Sequence, residues 1–169
     1  NTLLGKALAP IATTAYGNTI VGDTQCDALS TGYENVVIGA ATPVLNTGYN
    51  NVVIGKGSGA ALTTSQYNVL IGLNAGAANS TILNGIVAIG YHAAQYSTGT
   101  SVTAIGQAAG QANTTGHRWT AIGDSASSTA TASDWTAVGS AATTGTQGIS
   151  MGSYAGYNTT GAGNISIGY

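Results

Sequence analysis

The sequence predicts an all-β fold: a parallel β-solenoid, or β-roll, of about ten 16–17-residue coils forming one repeat domain over residues 1–169. Three observations predict it. First, a short segment ending in an apolar residue and glycine recurs eleven times, closing at Gly5, Gly22, Gly39, Gly55, Gly72, Gly90, Gly106, Gly123, Gly139, Gly152 and Gly168. Second, the period is too short for a helix-pair repeat, and no apolar pattern at a spacing of 3.6 competes with it. Third, a threonine column (Thr14, Thr31, Thr47, Thr64, Thr81, Thr98, Thr115, Thr131, Thr144, Thr160) marks the second half of the repeats, and glycine follows six of its members, as in turns.

Each repeat therefore reads as a strand ending at the apolar–Gly step, a turn, a shorter strand and a Thr-Gly turn back. The closing glycine suits a corner that needs positive φ or close backbone approach. Strand positions are counted backwards from that glycine. Side chains alternate along a strand, so positions −1 and −3 share one face and −2 and −4 the other. Position −1 is Leu4, Val21, Ile38, Ile54, Ile71, Ile89, Ile105, Ile122, Val138, Met151 or Ile167. It never turns polar, which predicts the coil interior.

The opposite face exchanges volume between its two columns. In the first five repeats position −2 is Leu3, Ile20, Val37, Val53 or Leu70 and position −4 is asparagine. In the next four, position −2 shrinks to Ala88, Ala104, Ala121 and Ala137 while −4 grows to Ile86, Val102, Trp119 and Trp135. Compensation of this kind belongs to packed surfaces. It predicts burial on both sides of the strand, with a homo-oligomer, most simply a trimer, covering Leu3, Ile20, Val37, Val53, Leu70, Ala88, Ala104, Trp119 and Trp135. The asparagines from Asn1 to Asn68 read as an amide ladder. An interval of 13 residues before Gly152 predicts an irregular, shortened coil near 140–152.

Composition narrows the function classes. Charged residues make up 5% of the chain against roughly 25% in ordinary domains, and the net charge is −2. That leaves no basic patch for nucleic acid. No apolar run approaches the roughly 18 residues of a membrane span. No leader is evident, and Asn1 already lies inside a repeat, so the chain reads as a processed or excised piece joined to something at its ends. Cys26 alone makes no disulfide framework and reads as a small core residue.

No cofactor, metal or catalytic centre is indicated. Asp23 and Asp124 hold the same place in their repeats but lie six coils apart, roughly 29 Å at one strand spacing per coil, too far to act as a carboxylate pair. Asp23, Cys26, Asp27 and Glu34 cluster in one coil without metal-ligand spacing. Tyr16, Tyr33, Tyr49 and Tyr67 fall in consecutive coils. They suit either a surface that contacts sugars or a structural ladder covering a corner. Asn79, Asn113 and Asn158 are glycosylation sequons placed at the threonine turn.

The copies V-T-A-I-G-Q-A-A-G, ending at Gly110, and W-T-A-I-G, ending at Gly123, resemble the repeats of bacteriophage tail fibres and the β-roll heads of trimeric autotransporter adhesins. The resemblance runs along the whole chain, although the adhesin-head repeat is shorter. It implies a trimeric rod at a cell surface, outside the cell or on a virion, which displays a surface for a glycan or protein receptor. Two alternatives stand beside this: a subunit of an end-to-end filament, and a carbohydrate-binding module.

Overall fold

A computed structural model describes residues 1–5, 14–23, 30–40, 46–77, 84–127, 132–144, 147–157 and 161–169. Eleven short strands run from β1 (Thr2–Leu4) through β2 (Thr19–Val21), β3 (Val36–Ile38), β4 (Val52–Ile54), β5 (Val69–Ile71) and β6 (Ile86–Ile89). They continue as β7 (Val102–Ile105), β8 (Trp119–Ile122), β9 (Trp135–Val138), β10 (Ile149–Met151) and β11 (Ile165–Ile167). All pair in parallel, in chain order, as a single sheet. Every strand ends immediately before a closing glycine, and the register pairs repeat columns with one another, as in Ala104↔Ala121 and Ile105↔Ile122. The short interval is absorbed ahead of β10 and leaves register intact, since Ser150 still pairs with Ala137. Ten strand-to-strand steps of about 4.8 Å give a rod roughly 50 Å long.

Three corners shape the coils whose turns are described. The closing glycines from Gly5 to Gly168 all have φ between +120° and +152°, where other residues rarely go. Two linked turns follow. Ala109 N–H bonds to Gly106 O (3.3 Å) and Gln111 N–H to Ala108 O (3.2 Å), with Ala108 and Gly110 at positive φ, the signature of type II turns. The third corner is a left-handed residue five before the glycine, filled by Gly17, Glu34, Asn50, Tyr67, Gly85, Ser101, Arg118, Asp134, Gln147 and Gly163. A second, thinner ladder of parallel bridges, Tyr16↔Tyr33↔Tyr49↔Gln66↔Asn84, runs just before this corner.

The core inverts the expected faces. Positions −2 and −4 fill the interior of the single chain: Ile20, Val37, Val53, Leu70, Ala88, Ala104, Trp119 and Trp135 are all at most 2% exposed. These columns open only at the two ends of the rod, where Asn1 and Leu3 are exposed and Asn164 and Ser166 half-buried. Position −1 points outward, and Ile38 and Ile105 are each 37% exposed. The volume exchange is the reliable signal, because a cavity enclosed by one chain must keep its total volume. A never-polar column is not. Trp119 and Trp135 stack in the core with ring centroids 4.9 Å apart, and Trp119 lies over Gly110, where a Cβ would collide with the ring.

Asparagine at a core position runs against the usual rule, since an unbonded amide would be costly there. Here none is unbonded. Asn35 Oδ1 accepts from the backbone N–H of Asn51 (3.1 Å) and from its Nδ2 (3.0 Å), and Asn35 Nδ2 donates to Asn18 Oδ1 and Gly48 O. The pattern repeats from Asn1 to Asn68 and ends where Ile86 N–H donates to Asn68 Oδ1. Asn51→Ala should therefore destabilise strongly. It removes the acceptor of the buried Asn68 N–H, at about 1–3 kcal/mol for a stranded buried group, and takes one of two donors from Ser65 O, which keeps Tyr49 N–H. Thermal melts of this variant beside the exposed control Asp124→Ala check it; a cost no larger at Asn51 would refute the ladder's energetic role.

Candidate interaction surface

The outward sheet face runs continuously along all eleven strands. Its −1 column is aliphatic or Met throughout. Its −3 column reads Thr2, Thr19, Val36, Val52, Val69, Val87, Thr103, Thr120, Thr136, Ile149 and Ile165. The strand side chains of both columns are half-buried or exposed, and none is ionisable. Together they make a flat apolar ribbon along the rod, banded with hydroxyls. None of the five threonine hydroxyls on this ribbon has a hydrogen-bond partner among the described residues. Such a face arises because the parallel register stacks like on like, so a column repeated in sequence becomes a stripe in space.

The tyrosines form a ladder on another side. Tyr16 and Tyr33 stack at 5.0 Å with an interplanar angle of 8°, and Tyr33 and Tyr49 at 4.7 Å and 3°. Tyr67 meets Tyr49 edge-on at 5.5 Å because it stands one residue later, at the left-handed corner, while Gln66 takes the ladder position. The stacked rings turn their faces to one another and their edges to solvent. A sugar stacks on a ring face, so this geometry favours the structural ladder. Partial burial, then the neighbouring tyrosines, push the Tyr33 phenol above its ordinary range. Burial and a hydrogen bond with Tyr67 do the same at Tyr49.

A phenol whose pKa is raised by folding contributes fully below its unfolded value and loses that contribution as pH rises through the folded value. The ladder should thus be intact at neutral pH and weaken in alkali. Phenolate absorbance should show a phase above the ordinary phenol range, with Tyr33→Leu removing part of it. A single phase at the ordinary phenol value in the parent protein would refute the coupling.

The remaining candidates disperse. Asp23 and Asp124 are exposed on separate coils. Glu34 occupies a left-handed corner beside Gly17. Arg118 Nε donates to Asp134 Oδ1 at 2.7 Å and Nη2 to Oδ2 at 3.0 Å; that pairing holds the Asp134 carboxyl below its usual range, on an exposed corner where such a pair adds little stability. No group of three or more His, Cys, Asp or Glu gathers among the described residues. Cys26, Asp27, Asn79 and Asn158 lie outside them.

The sequon at Asn113 is corrected. Its side chain is fully buried, with Oδ1 accepting from Gly116 N–H (2.9 Å) and Nδ2 donating to Ala132 O (3.3 Å). It braces the Thr-Gly turn from inside and offers no amide to a glycan. The left-handed corner and the linked turns are further features that the strand pattern does not predict. Their signal is present in the alternating glycines of Gly55, Gly57 and Gly59, and in Gly72, Asn74 and Gly76.

No family model, no curated protein and no solved structure matches this chain.

Proposed function

We propose that the chain is a structural rod segment of an extracellular or virion surface fibre, assembled from copies of itself through the outward sheet face. The observation that carries this reading is the uncharged apolar ribbon, which spans all eleven strands on a chain with 5% charged residues. A monomeric rod would leave that ribbon in water, and contiguous exposed apolar surface of this extent marks an interface. Its footprint of about 50 Å by 10 Å, roughly 500 Å² in projection, is of the order of the ≈ 800 Å² per partner of a stable interface.

A second copy is the natural cover, because an identical ribbon matches its own length, spacing and lack of charge. The closed arrangement proposed is a trimer with the ribbons at its centre. The repeat motifs resemble those of phage tail fibres and trimeric adhesin heads, which supports the same assembly and a role in displaying receptor-binding surface. Among the described residues the titratable groups are scattered along the rod, which lends no support to catalysis.

Molecular mass in solution together with negative-stain images tests this reading. The expected result is a discrete multiple of the 16.5 kDa chain, three for a trimer, seen as short rods of uniform length. A monomer at all concentrations would overturn it, and long filaments would favour end-to-end polymerisation instead.

A further inference from the structure

We propose that Tyr49 and Tyr67 form a site of oxidative modification, at which a peroxidase and hydrogen peroxide join the two phenol rings as dityrosine and tie coil 4 to coil 5. The proposal does not depend on how copies of the chain assemble. It starts from composition. The chain has nine tyrosines, no phenylalanine and one cysteine. A lone cysteine closes no disulfide within the chain, and both tryptophans are buried. Phenols are therefore the readily oxidised rings on its described surface.

The tyrosine ladder breaks in a way that selects one pair. Tyr16, Tyr33 and Tyr49 fill the ladder position in coils 2 to 4, and Gln66 fills it in coil 5. Tyr67 stands one residue later, at φ +59°, a corner that neighbouring coils give to Glu34, Asn50, Gly85 and Ser101. A bulky aromatic residue is out of place in left-handed backbone, and strain of that kind gathers at functional sites. Its effect here is to turn the Tyr67 ring edge-on to Tyr49, 5.5 Å away at 85°, with the two hydroxyls hydrogen-bonded. Dityrosine forms between the ring carbons next to the hydroxyls, so a hydroxyl-to-hydroxyl contact brings the coupling carbons together. Tyr67 is 59% exposed and open to an oxidant.

The stacked pairs lack this geometry. Tyr16 and Tyr33 lie within 8° of parallel, and Tyr33 and Tyr49 within 3°. The new bond must lie in the planes of both rings, and the planes of stacked rings do not meet. Tyr154 presents steeply tilted rings to Tyr157 and Tyr169, but at 6.4 Å and 6.1 Å. Those pairs stand farther apart and serve as the internal comparison.

The chemistry balances with one peroxide. Each phenol gives up one electron and its hydroxyl proton. The two radicals join by a carbon–carbon bond. The hydrogen on each joined carbon then leaves as a proton while a proton returns to each oxygen, which restores two phenols. In sum the chain loses two hydrogens, and one hydrogen peroxide is reduced to two waters. The bond closes a covalent loop around one coil and restricts the unfolded chain as a disulfide would.

The test treats the whole chain with a peroxidase and substoichiometric hydrogen peroxide. It reads dityrosine fluorescence, mass, and the cross-linked peptides after proteolysis. An equal mixture of isotope-labelled and unlabelled chains tells links within a chain from links between chains. The expected product is two hydrogens lighter, shows no mixed-label link, joins the peptides that hold Tyr49 and Tyr67, and melts at a higher temperature than the untreated chain. Tyr67→Phe keeps the ring and should lose most of the fluorescence, whereas Tyr16→Phe should retain it. A link mapped chiefly to another pair, or to mixed-label chains, overturns the proposal, and so does a parent-like yield in Tyr67→Phe. Should that variant not fold, the unchanged chain decides, oxidised photochemically with and without urea. A Tyr49–Tyr67 yield no higher in the folded state would show that the fold does not position the pair, and would overturn the proposal as well.

Discussion

Gly106→Val should leave the protein unable to form a continuous rod. Gly106 has φ +129°, a conformation in which a β-branched residue is strained. The steric collision costs more than that strain. A Cβ at this position would stand 2.5 Å from the carbonyl oxygen of Gly123, the equivalent corner of the next coil. That atom is backbone. It cannot swing aside as a side-chain tip would, and it is fixed by Gly123 N–H bonding back to Ile105 O at 2.8 Å. Relieving the clash means parting coils 7 and 8, which breaks the β7–β8 pairing and opens the core at Trp119. The loss expected is at least the roughly 4–5 kcal/mol that marks the most damaging substitutions. Far-UV circular dichroism and a thermal melt check it, with Gly163→Ala as control: that residue also has positive φ, but its Cβ would meet nothing within 4 Å. Stability of Gly106→Val comparable to that of Gly163→Ala would overturn the argument that the approach of coils makes the corner glycine necessary.

The repeat makes the architecture legible. Eleven strands, each closing on its glycine, and columns that become stripes follow directly from a near-constant period, because parallel in-register stacking converts sequence phase into spatial alignment. The amide ladder is legible for the same reason. What the pattern misplaces is the buried face. The alternation of a strand says which residues share a side, but not which side is inside. Two cues compete for that choice: an unbroken apolar column at −1, and asparagine with compensating volumes at −4 and −2. The first cue is the stronger on hydrophobicity, and it is wrong. Asn18, Asn35, Asn51 and Asn68 are at most 1% exposed, since a ladder that satisfies every amide removes the penalty that would have kept them out. Sequence pattern cannot show that satisfaction, because the acceptors Gly32, Gly48 and Ser65 come from turn backbone of the neighbouring coil.

The inversion also moves the face proposed for assembly. One side of the strand is closed by its own coil, and the other lies open on the single chain. The residues that hydrophobicity alone assigns to the neighbour are those the chain keeps for itself. The aliphatic −1 column, freed from the interior, becomes the strongest reason to expect a partner. Low charge takes on a second meaning: a ribbon without lysine or glutamate lacks the usual protection against association.

Two adjacent substitutions separate these faces. Ala104 is fully buried and Ile105 is 37% exposed, one residue apart on β7. Ala104→Asp should abolish folding even in dilute solution. It drives a larger, charged side chain into a filled core with no cation beside it, at a cost of several kcal/mol or more. Ile105→Asp should leave the coil interior untouched, so the strand signal in circular dichroism persists. Its effect should fall on association, because copies meeting at the axis would bring like charges together in a place shielded from water. The expected outcome is a folded protein whose mass drops toward 16.5 kDa at concentrations where the parent remains assembled. Acid should partly restore assembly, since the introduced carboxyl is neutral once protonated and the parent face carries no ionisable group of its own. If Ile105→Asp instead lost its strand signal while Ala104→Asp kept it, the faces would have to be exchanged again. If both stayed folded and fully assembled, the ribbon would not be where the copies meet.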